Sequence, residues 1–331
     1  MPEASTDTKH IELLYGLDQG CIAGILDLDI LGEAENFSPI HNLEDALRRA
    51  QELANSADAE NTHPFLIAET RSLAAYLAVY AGCEVPYDEF IEQVLGTLPK
   101  VPDQDTIHDQ WTRVKRAFEK ASRAKFTAEN VAEWKAKNPM ESDVEVTVDR
   151  AHKFLVRPLY SQLGWNPQGE PPEIEVVNAT GKAWVGWTDT VASAEGPNGR
   201  KVRIRINRAP TYPPYQGVIN TTVLHEETHR IQLEARMQAM MRARGDGLWL
   251  PRSSLLTRLA SPTQPLWEGM ATTIFRFMDE GLFTPAETYR NEARILTVLL
   301  DGRRIIEPSQ HPHLENRDEL LKTRVQKWNQ L

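Results

Sequence analysis

Residues 224–230 read LHEETHR, a stretch in which two histidines stand four positions apart and a glutamate directly follows the first. On an α-helix, residues four apart lie on one face, so His225 and His229 present both imidazoles to the same point. Glu226 lies about 100° further round the helix, too displaced to be a comfortable ligand but able to reach a metal-bound water. This H-E-x-x-H stretch therefore predicts a metal-binding helix that carries its own general base.

A catalytic zinc site needs a third protein ligand and an open position for water. His229 is followed by RIQLEA, which supplies no third histidine at the H-x-x-G-x-x-H spacing. Glu268, in LWEGMATTIF, is the best candidate because it is an acidic residue near the start of an apolar helix. Its alternative role is to favour a helix N-terminus through the helix dipole. We expect one Zn²⁺ per chain, bound by His225, His229 and Glu268.

The hydrophobic pattern divides the chain into three segments. Residues 1–9 are small and polar and are expected to form a flexible N-terminus. Residues 10–163 have mostly helical periodicity and are expected to wall a cleft, with Val144–Leu163 ambiguous between strand and helix and interpreted as helix. Residues 164–331 are expected to form the metallohydrolase region, with helices at 218–243, 264–281 and 285–306. The change of pattern near residue 164 allows a domain boundary, but we favour one compact unit.

Alternating residues between 173 and 206 indicate a small sheet just before the metal helix. Its expected strands are Ile174–Val177, Ala183–Trp187 and Val202–Ile206. The predicted fold is therefore mainly α with a small antiparallel β-sheet, an α+β arrangement in which the active-site helix follows an edge strand.

Composition and charge exclude several classes of binding partner. The formal net charge of −10 argues against a nucleic-acid partner, because phosphate binding favours a basic surface. No run approaches the roughly 20 apolar residues of a membrane span, and MPEASTDTKH does not read as a secretory signal. Two cysteines are too few for a disulfide framework. We expect a cytoplasmic protein with no membrane partner.

Three segments carry a resemblance to a known group of proteins. They are RIRINRAPTYPPYQGVINTTVLHEETHRIQ, then WEGMATTIFRFMDEGLFTP, then EARILTVLLDG. A histidine–glutamate helix followed by a glutamate on a later helix resembles the gluzincin metallopeptidases, and most closely the largely helical DUF885 family. The resemblance covers residues 200–305. The chain departs from that family in its plain H-E-E-T-H spacing, in Met270 after the glycine and in its shorter length.

The resemblance implies further site residues. Metallopeptidases of this kind place a Tyr, His or Arg where it stabilises the developing oxyanion, and Tyr212 and Tyr215 lie in the bridge that enters the metal helix. Both could equally be turn residues among prolines. Arg294 occupies the position of the family's arginine and could bind a substrate carboxylate, or pair with Glu292 or Glu287. Asn207, with the strand before it, could run along the cleft and contact substrate.

The function that these residues favour is zinc-dependent hydrolysis of an amide bond in a short peptide or small metabolite, with Glu226 moving the proton. Two histidines and a carboxylate also describe a non-haem iron oxygenase site, or other small-molecule chemistry on a gluzincin scaffold. A non-catalytic helical protein with a structural metal is the third hypothesis. Glu226 weighs against both alternatives, because neither needs a base at that position.

Overall fold

The chain folds mainly into α-helices with small β-sheets, as a computed structural model of the protein shows. The structure describes residues 2–306 except for positions 99, 140–142, 166–171, 183, 194–199, 211–214 and 259. In this part of the chain, no helix combines the length and the apolar character that crossing a membrane requires. The predicted class, mainly helical with a small sheet, is confirmed at this level.

The α-helices form one group before the larger sheet and another after it. The first group comprises α1 (Pro2–Asp18), α2 (Leu43–Ala59), α3 (Pro64–Tyr80), α4 (Tyr87–Leu95), α5 (Gln104–Ser122), α6 (Ala128–Lys137), α7 (Val144–Ala151) and α8 (Arg157–Leu163). The second group comprises α9 (Val218–Gly245), α10 (Gln264–Thr273) and α11 (Pro285–Ile306). The ambiguous segment Val144–Leu163 is helical, with a π-helical turn at His152–Val156 between α7 and α8.

Local sequence signals explain several of these helix ends. Asn42 caps α2 by accepting a hydrogen bond from the backbone N–H of Asp45, and Asp103 caps α5 through the N–H of Thr106. Helix α4 ends at Gly96, whose φ of +74° is a left-handed conformation that glycine adopts without strain.

The predicted helix at 264–281 is shorter than expected. Helix α10 ends at Thr273, and 3₁₀ turns follow at Ile274–Phe277 and Glu280–Leu282. Between these turns, Met278 is extended, and the Asp279 carboxylate accepts a hydrogen bond from the N–H of Gly281 at 2.9 Å. Such side chain–backbone bonds compete with helix continuation, which apolar periodicity alone does not reveal.

The N-terminal segment differs most from its prediction. Residues 1–9 were expected to be flexible, but α1 begins at Pro2, and Thr6 and Asp7 are buried. The Asp7 carboxylate accepts hydrogen bonds from the backbone N–H groups of Arg252, at 2.7 Å, and Ser253, at 3.0 Å. Tertiary contacts with a segment far along the chain therefore order a stretch whose own composition gives no such signal.

The larger sheet lies beside α9 and has the strand order β2–β4–β3, with β2 at Glu173–Val177, β3 at Gly186–Ala192 and β4 at Arg200–Asn207. Strand β3 pairs antiparallel with β4, as predicted. Strand β2 pairs parallel with β4, so the prediction of an antiparallel sheet was wrong for this pair. Alternation along a strand reports its half-buried faces but not the direction of its partner.

A second pairing joins the two regions that the sequence separates near residue 164. Strand β1 (Leu26–Asp29) pairs antiparallel with β5 (Leu256–Arg258). One hydrophobic core also contains residues from both regions, including Leu14, Leu73, Leu233 and Trp267. The N-terminal region thus belongs to the same folded unit as α9. Strand β1 comes near α9 in space although the two lie far apart in the sequence.

Candidate metal centre

Helix α9 lies at the centre of the described structure, and every residue from Val218 to Ile231 is buried. It packs against β3 and β4, and also against α7, α10 and α11. The chain enters it at Gly217, where φ is +87° and a side chain would lie 3.1 Å from the backbone nitrogen of Glu287. The charged residues of this half-helix therefore lie in the protein interior, where each needs a partner.

The side chains of His225, His229 and Glu268 converge between α9 and α10. The two histidine Nε2 atoms lie 3.2 Å apart. Glu268 Oε2 lies 3.4 Å from Nε2 of His225, and Glu268 Oε1 lies 3.4 Å from Nε2 of His229. Tetrahedral ligands bonded to zinc at about 2.0–2.1 Å are separated from one another by about 3.3 Å. The separation of the two nitrogens matches this value, and each nitrogen has one Glu268 oxygen at a similar distance.

Gln232, which the sequence analysis did not select, orients His229 and ties it to α10. Its Nε2 donates a hydrogen bond to the carbonyl of Trp267 at 3.1 Å, and its Oε1 lies 3.1 Å from Nδ1 of His229. Since Oε1 can only accept, Nδ1 of His229 carries the proton, and Nε2 is left with a free lone pair. This second contact of the ring sets the tautomer that a metal ligand requires.

The ring of Trp267 helps to place Glu268. Trp267 is 2% exposed, and its ring stacks on the His229 imidazole with centroids 5.5 Å apart and planes 13° apart. The Arg236 guanidinium lies 4.1 Å from the centroid of the same indole. Because Trp267 is anchored in this way, the next residue on α10 is held directly over the two histidines.

The two ring nitrogens of His225 also have surroundings that suit a metal ligand. Its Nε2 faces the other two ligand atoms, and Nδ1 has no hydrogen-bond partner among the described residues. His225, His229 and Glu268 form a group whose candidate ligand atoms all lie within 4.8 Å of one another. Two imidazole nitrogens and a carboxylate oxygen are a ligand set that zinc accepts in catalytic sites.

The pKa values at this centre reflect strong mutual interaction. Burial lowers the pKa of His225 more than its hydrogen bond with Glu268 raises it. At His229 burial also opposes the charge, but Glu268 and Glu226 outweigh it and raise the pKa. Burial works to raise the pKa of Glu268, yet the contacts with His225 and His229 hold it well below its ordinary value. Glu268 is therefore ionised at neutral pH and offers a negative charge to a dication.

Glu226 is held by strand β3 on the side of α9 next to the triad. The hydroxyl of Thr188 donates a hydrogen bond to Glu226 Oε2 at 2.7 Å. Gly186 lets the strand approach: a side chain there would lie 2.8 Å from Glu226 Oε1 and 2.3 Å from Cγ2 of Thr222. One carboxylate oxygen is thus oriented by the strand, and a glycine makes room for the other.

A cleft of about 380 Å³ opens over these residues. Residues of β1, β3, α9, α10 and α11 line it, and β3 is an edge strand of its sheet. Asp27 of β1 is a further acidic group in this lining. Burial raises the pKa of Asp27 to about 7; His229 opposes the increase, whereas Glu268 and Glu226 add to it. No sequence pattern links a four-residue strand near the N-terminus to the metal helix.

Arg294 lines the cleft next to the three candidate ligands, and Arg290, which was not selected from the sequence, lines it as well. Arg294 Nη2 lies 3.2 Å from Nε2 of His225 and 4.0 Å from Glu268 Oε2. The alternative partners proposed for Arg294 bind elsewhere. Glu292 accepts hydrogen bonds from Gln110 and Arg276, and Glu287 from Asn220 and the backbone N–H of Thr284.

Of the three other predicted site residues, Tyr212 lies outside the described residues, and Tyr215 and Asn207 are not brought together with the triad. Tyr215 packs its ring against Trp134 and Tyr289, with centroids 5.6 and 6.2 Å away, and does not line the cleft. Burial raises the pKa of its hydroxyl.

Asn207 has a different role from the predicted one. Its side chain is fully buried and bonds to the backbone of Ala179 and to the carbonyl of Trp184. It thereby secures the loop between β2 and β3. Asn207 is the last residue of β4, which is central in the sheet and has both edges paired. The prediction that the active-site helix follows an edge strand was therefore wrong, and the edge strand that lines the cleft is β3.

Comparison with known proteins adds no family to this description. The chain matches no family model, no curated protein and no solved structure. The likeness to gluzincins and to the DUF885 family remains a prediction that rests on the three quoted segments.

Proposed function

We propose that the protein is a zinc-dependent hydrolase that cleaves an amide bond in a short peptide or a small metabolite. The observation that carries the proposal is the convergence of two imidazole nitrogens, 3.2 Å apart, with a carboxylate that places one oxygen 3.4 Å from each, and with Glu226 in the same cleft. The gluzincin-like order of these residues along the chain also supports it.

His225, His229 and Glu268 would hold the ion, and the side facing the cleft would stay open. When bound there, zinc would make a water more acidic and polarise the substrate carbonyl. Gln232 and Trp267 keep the ligands in place whether or not substrate is present. The site is therefore organised before the reaction begins, as an electrostatic catalytic centre requires.

Glu226 is the group that moves the proton. In the hydrolysis, a C–O bond forms at the carbonyl carbon and the C–N bond breaks. The Glu226 carboxylate accepts a proton from the attacking water and returns one to the leaving nitrogen, which departs as an amine. The hydrogen bond from Thr188 keeps the carboxylate turned towards the cleft during both transfers.

The decisive experiment combines metal analysis with a matched set of variants. Metal content is measured by mass spectrometry for the wild type, His225→Ala and Glu268→Ala, with His108→Ala and Glu92→Ala as controls at exposed positions. We expect one zinc per chain in the wild type and both controls, and loss of zinc in both site variants. Cleavage of a mixed short-peptide pool is then compared between the wild type and Glu226→Gln.

Other outcomes would point to the alternative functions. Iron in place of zinc, with oxygen consumption, would favour an oxygenase, because the same two-histidine, one-carboxylate set binds non-haem iron. Zinc retained in Glu226→Gln with every measurable function unchanged would indicate a non-catalytic metal protein. Zinc lost in His225→Ala but kept in Glu268→Ala would remove Glu268 from the ligand set.

A further inference from the structure

Two arginines on α11, Arg290 and Arg294, line the cleft, and neither lies closer than 4.0 Å to a carboxylate oxygen among the described residues. Arg290 and Arg294 are four residues apart, so they lie one helical turn apart on one face of α11. Among the described residues, Arg290 forms no ion pair, and Arg294 approaches only Glu268, at 4.0 Å. If Glu268 binds the metal, its charge is shared, and the two guanidinium groups lack a full counter-charge.

Two other buried or half-buried arginines, in contrast, have a carboxylate within hydrogen-bond distance. Arg258 donates to Glu69 at 3.0 Å, and Arg276 lies 3.0 Å from Glu292. Removing a guanidinium from water without an opposite charge is unfavourable. The cleft therefore favours an anionic group from outside the chain.

The basic residues of the cleft lie on one side of it. Arg290 and Arg294 line the cleft from α11, and Arg294 Nη2 lies 3.2 Å from Nε2 of His225. Their guanidinium groups attract a substrate anion, which would therefore bind on the side of α11.

We infer, on the basis of the proposed amide hydrolysis, that the substrate ends in a carboxylate one residue beyond the scissile amide and that Arg290 and Arg294 bind this carboxylate. In a peptide or an N-acyl amino acid, only a nitrogen and a Cα separate the carbonyl carbon under attack from the terminal carboxylate. Arg294 Nη2 is 3.2 Å from a ligand nitrogen, so an anion held there lies beside the reacting centre. Guanidinium forks bind carboxylates through paired hydrogen bonds.

The inference predicts removal of the C-terminal residue. The test compares a mixed pool of N-acetyl dipeptides as free acids with the same pool as C-terminal amides, using zinc-loaded protein and kcat/KM from product mass spectrometry. We expect the acids to react roughly tenfold faster or more, because charged hydrogen bonds are the stronger kind. Arg290→Gln should reduce this preference by slowing the acids far more than the amides.

Two further variants separate binding from folding and from net charge. Arg290→Lys keeps the positive charge and should retain part of the preference, although it loses the fork geometry. Arg242→Gln removes the same charge at an exposed position about 25 Å along α9 from His225 and should behave as the wild type. If Arg242→Gln lost the preference as fully as Arg290→Gln, the effect would be one of net charge and the inference would be overturned.

Calorimetric binding of N-acetyl amino acids to zinc-loaded Glu226→Gln distinguishes this inference from the proposed function. If the added Arg290→Gln change abolishes the binding of free acids, the carboxylate site is supported. If the wild type in addition cleaves no amide, the carboxylate site stands and amide hydrolysis is rejected. Cleavage of acids and amides at equal rates would keep the hydrolase and overturn the carboxylate site. Displacement by inorganic phosphate at lower concentration than by acetylated amino acids would also overturn it, in favour of a phosphorylated ligand.

Discussion

Helix α9 carries buried charges on two faces, and the faces differ in how those charges are partnered. Towards α8, Glu227 accepts hydrogen bonds from the Tyr160 hydroxyl at 2.6 Å and from Arg230 Nε at 2.8 Å. Arg230 also pairs with Glu234, so this guanidinium has two carboxylate partners within the protein. On the cleft face, the two imidazole nitrogens and the Glu268 carboxylate converge on one point, and Arg294 lies 4.0 Å from Oε2 of Glu268.

The comparison shows how to separate structural from functional charges in one helix. Glu226 and Glu227 are adjacent, identical in chemistry and both buried, so neither residue type nor burial distinguishes them. Their partners do, because Glu227 binds an arginine and a tyrosine, whereas Glu226 is held by one hydroxyl beside the cleft. Replacing each in turn should therefore affect different properties of the protein.

The largest expected effect is on turnover in Glu226→Gln. Loss of a general acid–base group lowers kcat by about 10²- to 10⁴-fold. We expect zinc content and the midpoint of urea unfolding to stay at wild-type values, because Thr188 can still donate to the glutamine oxygen. Steady-state kinetics on the best peptide from the pool measure the effect. Wild-type turnover in this variant would show that Glu226 is not the base.

Glu227→Gln should do the opposite. Removing the charge makes the hydrogen bonds from Tyr160 and Arg230 neutral ones, which costs about 1–3 kcal/mol of unfolding free energy, while Arg230 keeps Glu234 as its counter-charge. Equilibrium urea denaturation measures this loss, and the remaining folded protein should bind zinc normally. A Glu227→Gln protein as stable as the wild type, but with reduced zinc content, would mean that the two faces are coupled and that our division between them is wrong.

Gln232→Ala tests how far zinc affinity depends on residues that hold the candidate ligands in position. Outer contacts of metal ligands typically change metal affinity by about 10- to 100-fold. We expect a loss of that size in zinc affinity, measured by competition with a chromophoric chelator, because His229 loses the partner that sets its tautomer. Gln238→Ala, two turns further along α9, is the matched control. Equal zinc affinity in both variants would contradict the role given to Gln232.

The features predictable from sequence are those that a local pattern encodes. The histidine pair shares one helix turn, and Glu268 stands out because an apolar helix surrounds it. Gln232 was within reach of the same reasoning, since it follows His229 by three residues on the same face, as was Arg290, which precedes Arg294 by four.

The remaining features depend on pairing between distant segments. Asp27 reaches the cleft only because β1 pairs with β5, more than 200 residues later, and neither strand is long enough to show a pattern. The need for a glycine at position 186 follows from the close approach of β3 to Thr222 and Glu226. The parallel pairing of β2 with β4 likewise follows from the path of the chain and not from residue alternation.

His10 limits the comparison, because an unpartnered buried group marks a ligand site only where a ligand can reach it. Both of its ring nitrogens lack hydrogen-bond partners among the described residues, yet it is 1% exposed and lines no described cleft. Burial, with a smaller contribution from the charge of Arg258, lowers its pKa to about 3. The unfolded chain therefore binds a proton at His10 below pH of about 6.5, whereas the folded protein stays neutral there.

This difference has a definite sign and gives the smallest of the predicted effects. Between pH of about 6.5 and 3, each unit of acidification should remove about 1.4 kcal/mol of unfolding free energy through His10 alone. His10→Leu cannot take up that proton, so its stability should fall less steeply with acidification, and at pH 5.5 the difference is about 1 kcal/mol. Urea denaturation of both proteins at pH 7.5, 6.5 and 5.5 measures it. Parallel stability curves would show that the folded protein already accommodates a charged His10, which would then need a partner that these contacts do not provide.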